Sequence, residues 1–203
     1  MASAAQLTTL QTVKDELQIT SSTDDGYLTR QIKVASQMFT ELCGREFHRQ
    51  AGRTDEVVGE GGRFLYLKSV YPVTAINSVK YDGEAVDSDL YALQNREGLI
   101  LRASGRWQDT EHQRLYEIEY DAGYVTETQA PFGTNSDPRD LPFDLENAII
   151  QFVVANYRER GQSDNVASKK LGDTSIKWTT TQGRRVPQTF ADAITTYGKT
   201  AIA

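Results

Sequence analysis

Asp24 to Phe47, DDGYLTRQIKVASQMFTELCGREF, constrains the fold more than any other stretch of the chain. Leu28, Ile32, Ala35, Phe39 and Leu42 recur at steps of 4, 3, 4 and 3, so a helix carries them on one face, and Tyr27, Val34 and Met38 widen that face. Asp24 and Asp25 are placed to cap and charge the first turn, where backbone N–H groups favour an anion. Gly44 supplies the unhindered left-handed residue that ends a helix. The spacing therefore predicts a core helix of about five turns, against which the remaining segments pack.

Before it, Thr8 or Thr9 caps a short helix running through Val13 and Leu17, and TSSTDDG makes the turn of a helical hairpin. From Arg53 the period becomes alternating, with Phe64, Tyr66, Val73, Ala75, Val79 and Tyr81 among polar and turn residues, which predicts an antiparallel region of five or six strands. Asp82-Gly83 is a two-residue hairpin turn, Arg96-Glu97-Gly98 joins a second hairpin, and LYEIEY at 115–120 is a further strand. Residues 126–141, with two of the five prolines, have no period and read as a long loop. Pro142 then opens a second core helix carrying Leu145, Ala148, Ile149, Phe152, Val153 and Asn156 on one side, placed to lie against the first. A polar linker from Gln162 to Lys170 follows, then a strand on which Ile176 and Trp178 alternate with polar residues, then a short helix with Phe190, Ile194 and Tyr197 on one side.

The expected class is α+β: two long helices and a short N-terminal helix form a core, with an antiparallel β insertion and a C-terminal strand-helix arm. The corresponding division is a body at 1–161, with helical core 8–47 and 142–161, β-rich insertion 53–125 and loop 126–141, followed by an arm at 162–203. Leu28, Ile32, Phe39, Leu42, Leu145, Ile149, Phe152 and Val153 are the expected core residues.

Catalytic chemistry finds little support. His48 and His112 are the only histidines and Cys43 the only cysteine, so no zinc site, histidine-based catalytic site or internal disulfide can be assembled from them alone, and Cys43 beside Leu42 reads as a buried thiol. The Gly59-Glu60-Gly61-Gly62 run lacks the lysine and hydroxyl of a phosphate loop and reads as a turn. Asp24-Asp25 and Asp55-Glu56 read as caps and solvated charges; the expectation is no catalytic residue, no cofactor and no metal. No apolar run approaches a bilayer span, MASAAQLTT lacks the blocks of a signal peptide, and a cytosolic origin with no membrane partner is expected. Net charge is -6, but it is uneven: residues 1–161 carry 16 Lys+Arg against 25 Asp+Glu, and residues 162–203 carry 6 against 3.

Several motifs, in order, resemble the head-tail connector proteins of tailed bacteriophages, also called adaptor or head-completion proteins. LTTLQTVKDELQI and DDGYLTRQIKVAS are similar to that family's opening helical hairpin, and Gly44-Arg45-Glu46-Phe47 to its end. Tyr71-Pro72-Val73 resembles its Pro-Val strand, Tyr120-Asp121-Ala122-Gly123-Tyr124 its strand end, and Asn156-Tyr157-Arg158-Glu159-Arg160-Gly161 its helix terminus, with Leu171 to Ser175 extending the likeness. The resemblance implies a structural virion protein, assembled in the host cytoplasm, that forms a homo-oligomeric ring, commonly a dodecamer, beneath the portal protein and above a tail or neck protein. Such a ring joins the DNA-filled head to the tail and extends the channel, and an acidic lumen would let genomic DNA pass without specific binding. On that basis residues 162–203 are the expected portal-docking arm, with Ile176, Trp178, Phe190, Ile194 and Tyr197 making the contact. The alternative is a small nucleic-acid-binding module using Lys169, Lys170, Lys177, Arg184 and Arg185 with Trp178 as a stacking face. A hydrolase survives only because fold does not exclude function.

Overall fold

The structure, a computed structural model, describes residues 5–67, 69–109, 115–133, 136–160, 168–171, 174–181 and 184–198. In chain order the elements are helices α1 (Leu10–Leu17) and α2 (Asp25–Cys43), strands β1 (Gln50–Val57), β2 (Phe64–Tyr66), β3 (Val73–Tyr81), β4 (Glu84–Ala85), β5 (Tyr91–Asn95), β6 (Leu99–Arg102) and β7 (Tyr116–Ala122), helix α3 (Phe143–Glu159), strands β8 (Ser168–Leu171), β9 (Thr174–Thr181) and β10 (Arg184–Pro187), and helix α4 (Gln188–Tyr197). The protein is mixed α+β, with four helices and antiparallel sheets among the described residues. It divides into two compact units, Met1–Gly44 with Val125–Ala203, and Arg45–Tyr124.

The first unit is helical. Thr9 caps α1, its hydroxyl accepting from the Thr12 amide, and Gly44 ends α2 at φ 67°, returning its N–H to Thr40 and Glu41. Leu28, Ile32, Ala35 and Phe39 of α2 and Leu145, Ile149 and Val153 of α3 are fully buried, and Phe152 is nearly so. Leu42, expected beside them, is half-buried. The core position in that turn goes to Cys43, which lies one residue further round the helix and is 2% exposed. Phe190 of α4 stands edge-on to Phe39 at 5.3 Å and lies 4.9 Å from Phe152, so one ring joins the cores of three helices. The strands of this unit form a sheet ordered β10-β9-β8.

The expected loop at 126–141 is tied down where it is described. Backbone groups of Phe132 and Asp137 pair, and Val125 exchanges bonds with Asp140 through both side chain and backbone. Arg139 reaches Glu127 and the buried Glu146 of α3, which also accepts from Thr8. Three distant segments thus meet on one buried carboxylate whose charge is compensated.

Among its described residues the second unit holds seven strands in two sheets, ordered β1-β7-β3-β4 and β2-β6-β5, where the sequence predicts five or six. Asp82 and Gly83 both take positive φ, 54° and 81°, and the β3-β4 hairpin closes over them with Tyr81 opposite Glu84. Between β5 and β6 the Asn95 side chain accepts from the Glu97 and Leu99 amides, which fixes the turn before Gly98. The core gathers Leu65, Ile100, Trp107, Tyr116, Ile118 and Tyr120. Gly123 sits at φ 93°, and a Cβ there would lie 2.1 Å from the His48 carbonyl oxygen, so the glycine of the Tyr120–Tyr124 motif is required by the close passage of the segment that leads into β1.

Candidate assembly surface

The five residues assigned to a docking arm do not share one environment. Phe190 and Ile194 are 0% and 8% exposed, inside the helical unit, because the side chains at those positions of α4 fill the space between α2 and α3. Tyr197 is half-buried and its hydroxyl donates to both carboxylate oxygens of Asp144, at 2.8 and 2.9 Å. Trp178 is half-buried on β9, with the Arg185 guanidinium 4.6 Å above its ring, and Arg185 in turn approaches Glu159 at 3.8 Å. One face of the indole is therefore covered by an arginine that also approaches a carboxylate. The side chains of Ile176, Lys169, Lys170, Lys177 and Arg184 lie outside the description, as does His112.

At the end of α3 the motif residues form a clamp on the start of α2. Asp24 makes no cap with its side chain. Its carboxylate instead accepts from the Tyr157 hydroxyl and from Arg160, both at 2.7 Å, while Arg160 lies 4.7 Å over the Tyr27 ring. The Tyr157 hydrogen bond, followed by that of Arg160, holds the Asp24 carboxyl below its ordinary range, and the same carboxylate raises the Tyr157 phenol. Asp25 is taken by Lys14 at 2.8 Å, joining α1 to α2.

The second unit carries its own polar network. Tyr120 donates to Asp55 at 2.6 Å and Arg53 bonds the other oxygen of that carboxylate, while Gln50 links Arg53, Glu46 and His48. Burial, then the hydrogen bond and charge of Asp55, push the Tyr120 phenol up, and burial pushes the His48 imidazole down, so both stay neutral near pH 7. A network whose phenol is buried and bound to a carboxylate fixes strands. Among the described residues no group of three or more His, Cys, Asp or Glu side chains is placed to hold a metal ion, and no helix is long and apolar enough to cross a membrane.

The class this fold defines is a mixed α+β protein in which a sheet unit is inserted into a helical one. The sequence profile of the family described as head completion protein matches residues 6–198, and the chain belongs to that family. The resemblance read from its motifs is thereby borne out. Among solved structures, a chain from the virion of native gene transfer agent (GTA) particle aligns with TM-score 0.61 at 13% identity, covering 97% of this chain and 92% of that one. Chains from the neck of empty GTA particle, computed with C6 symmetry, and the neck of native GTA particle, computed with C12 symmetry, align with TM-scores 0.59 and 0.53, each at 13% identity, covering 97% and 98% of this chain and 92% and 96% of theirs. These are likenesses of fold. No curated protein sequence matches at a significant level.

Proposed function

We propose that the protein is a structural, non-enzymatic component of the virion neck, a ring of identical copies beneath the portal that joins the DNA-filled head to the tail and extends the DNA channel. The observation that carries this reading is the family match across nearly the whole chain, supported by the shared fold of chains from GTA virion and neck particles. A ring of one chain closes through two dissimilar patches. An acidic body with a basic C-terminal segment supplies dissimilar surfaces, and net negative charge suits a conduit that DNA traverses without adhering. Within this reading α1, α2 and α3 are the rigid frame. The portal contact falls on the β9 side of the C-terminal segment, on Ile176 and Trp178 with Tyr197 at the margin, since Phe190 and Ile194 are committed to the core.

Removing the gene from the parent particle's genome and supplying the protein in trans tests the reading. Without the protein, filled heads lacking tails should accumulate in electron micrographs, and supplying it should restore tailed particles. Trp178→Ala should restore them about tenfold less well, as expected for loss of an aromatic anchor. Normal yields of tailed particles without the protein would overturn the proposed role.

A further inference from the structure

Two exposed surfaces, one on each unit, carry opposite charge. On α2 the outward positions follow the helical repeat: Arg30, Lys33, Val34, Gln37 and Glu41 are all exposed and fall within about 100° of arc, opposite the buried stripe that starts at Leu28. Gln37 donates to Glu41 at 3.0 Å, which leaves the N-terminal half of this face basic. Asp25, the acidic residue of the first turn, is taken by Lys14. The Arg30 and Lys33 side chains therefore form no ion pair or hydrogen bond among the described residues, and Val34 beside them is 46% exposed.

The sheet unit presents the counterpart. Between Tyr81 and Tyr91 the chain holds Asp82, Glu84, Asp87 and Asp89 and no Lys or Arg. All four are exposed, and so is Leu90, at 36%. The carboxylates of Glu84, on the outermost strand β4, and of Asp89 meet no cation among the described residues. Backbone bonds hold this segment in one shape. The Val86 amide donates to the Val79 carbonyl at 2.8 Å, the Asp87 side chain accepts from the Asp89 amide at 3.0 Å and opens a single 3-10 turn, Ser88–Leu90, and the Ala103 amide donates to the Leu90 carbonyl at 2.8 Å. A surface fixed before contact loses little entropy on making it.

We propose that the outward face of α2 docks on the Glu84–Leu90 surface of a second copy of the chain, with Arg30 and Lys33 facing its carboxylates and Val34 meeting Leu90. Opposite charge selects the partner and its orientation, and the apolar pair gives the contact a dry centre inside a polar rim. A second copy is the occupant because one chain supplies both halves of the match. The halves are different surfaces, so the contact repeated runs head to tail around a ring. This inference rests on the ring reading above and assigns the surfaces through which that ring closes.

Native mass spectrometry of the full chain over a concentration series tests it through charge exchange. The parent protein should give closed rings. Arg30→Glu with Lys33→Glu, and separately Glu84→Lys with Asp89→Lys, should each raise the concentration needed for rings about tenfold, and the fourfold variant should recover the parent behaviour. In an independent arm, Val34→Cys with Leu90→Cys should give an oxidation-dependent ladder of covalent oligomers on a denaturing gel, Cys43 being buried. Neither cysteine alone should give the ladder. Loss of rings in only one of the two charge variants would assign that face to some other surface and overturn this pairing. Rings unchanged in both, no recovery in the fourfold variant, or no ladder likewise overturn it and leave the ring reading standing. A parent protein that stays monomeric throughout overturns both.

Discussion

The two units bury aromatic cores of similar character by opposite routes along the chain. In the sheet unit, Tyr81, Tyr91, Trp107 and Tyr116 stack in a continuous series at 4.8 to 6.3 Å, and every ring comes from one uninterrupted stretch. In the helical unit, Phe39, Phe152 and Phe190 meet only because segments before and after that stretch return to one place. The first core closes inside that one stretch, its hairpins β3-β4 and β5-β6 joined by the longer pairings of β7 with β1 and β3 and of β2 with β6. The second depends on contacts between residues more than a hundred positions apart, such as Thr8 with Glu146 and Asp24 with Tyr157. A chain arranged this way places its most distant dependencies in the helices, so the terminal helix α4 is part of the scaffold.

The largest expected effect tests that dependency. Phe190→Ala and Phe39→Ala should each cost about 3 to 5 kcal/mol, read from urea unfolding, because each removes a buried ring from a shared contact. Amide exchange should accelerate in α2, α3 and α4 while β3 and β7 keep their protection. Equal loss of protection in β3 and β7 would mean that the two units unfold as one block, and the contrast drawn here would fail.

A smaller but local effect is expected in the sheet unit. Gly123→Ala must relieve contact with the His48 carbonyl and hold a left-handed backbone, which should cost about 1 to 3 kcal/mol. A midpoint unchanged from the parent in urea would show that the strand passage there yields easily.

The smallest effect concerns the clamp between α2 and α3. Asp24 has a lowered folded-state pKa, so its contribution is fully present above the ordinary value of 3.8 and is lost as pH falls through the folded value below it. Asp24→Asn should therefore be slightly less stable than the parent at pH 7, and the two melting temperatures should converge toward pH 2. Parallel curves across that window would remove Asp24 from the account of acid stability.

Features with local causes were legible in the sequence: the Gly44 stop, the Asp82-Gly83 turn, the Arg96–Gly98 hairpin and the start of α3 after Pro142. The buried stripe of α2 was legible as well, apart from Leu42, where one residue of helix rotation exchanged it with Cys43. What escaped depends on partners far along the chain. Asp24 has every local attribute of a cap, yet Tyr157 and Arg160 claim its carboxylate. Phe190 and Ile194 form an apolar helical stripe whether they meet a portal or their own core, and periodicity carries no record of which. Loop 126–141 has no period because Arg139 and Asp140 anchor it through side chains. The place of Glu84 on an outermost strand was invisible, since being outermost is a property of the assembled sheet.

One detail of the sheet unit bears on how such a chain could have arisen. Its two ends lie side by side: the Tyr124 amide bonds the Phe47 carbonyl at 2.6 Å, and the Arg49 amide bonds the Tyr124 carbonyl at 2.7 Å. Once folded, the whole of Arg45–Tyr124 returns the chain close to where it left, so for the helices it closes like a short connection, and closure entropy depends on that short span. An excursion with adjacent ends can be lengthened, exchanged or trimmed with little effect on the host helices. Adjacent ends thus let about eighty residues of sheet sit between two helices at the closure cost of a short turn.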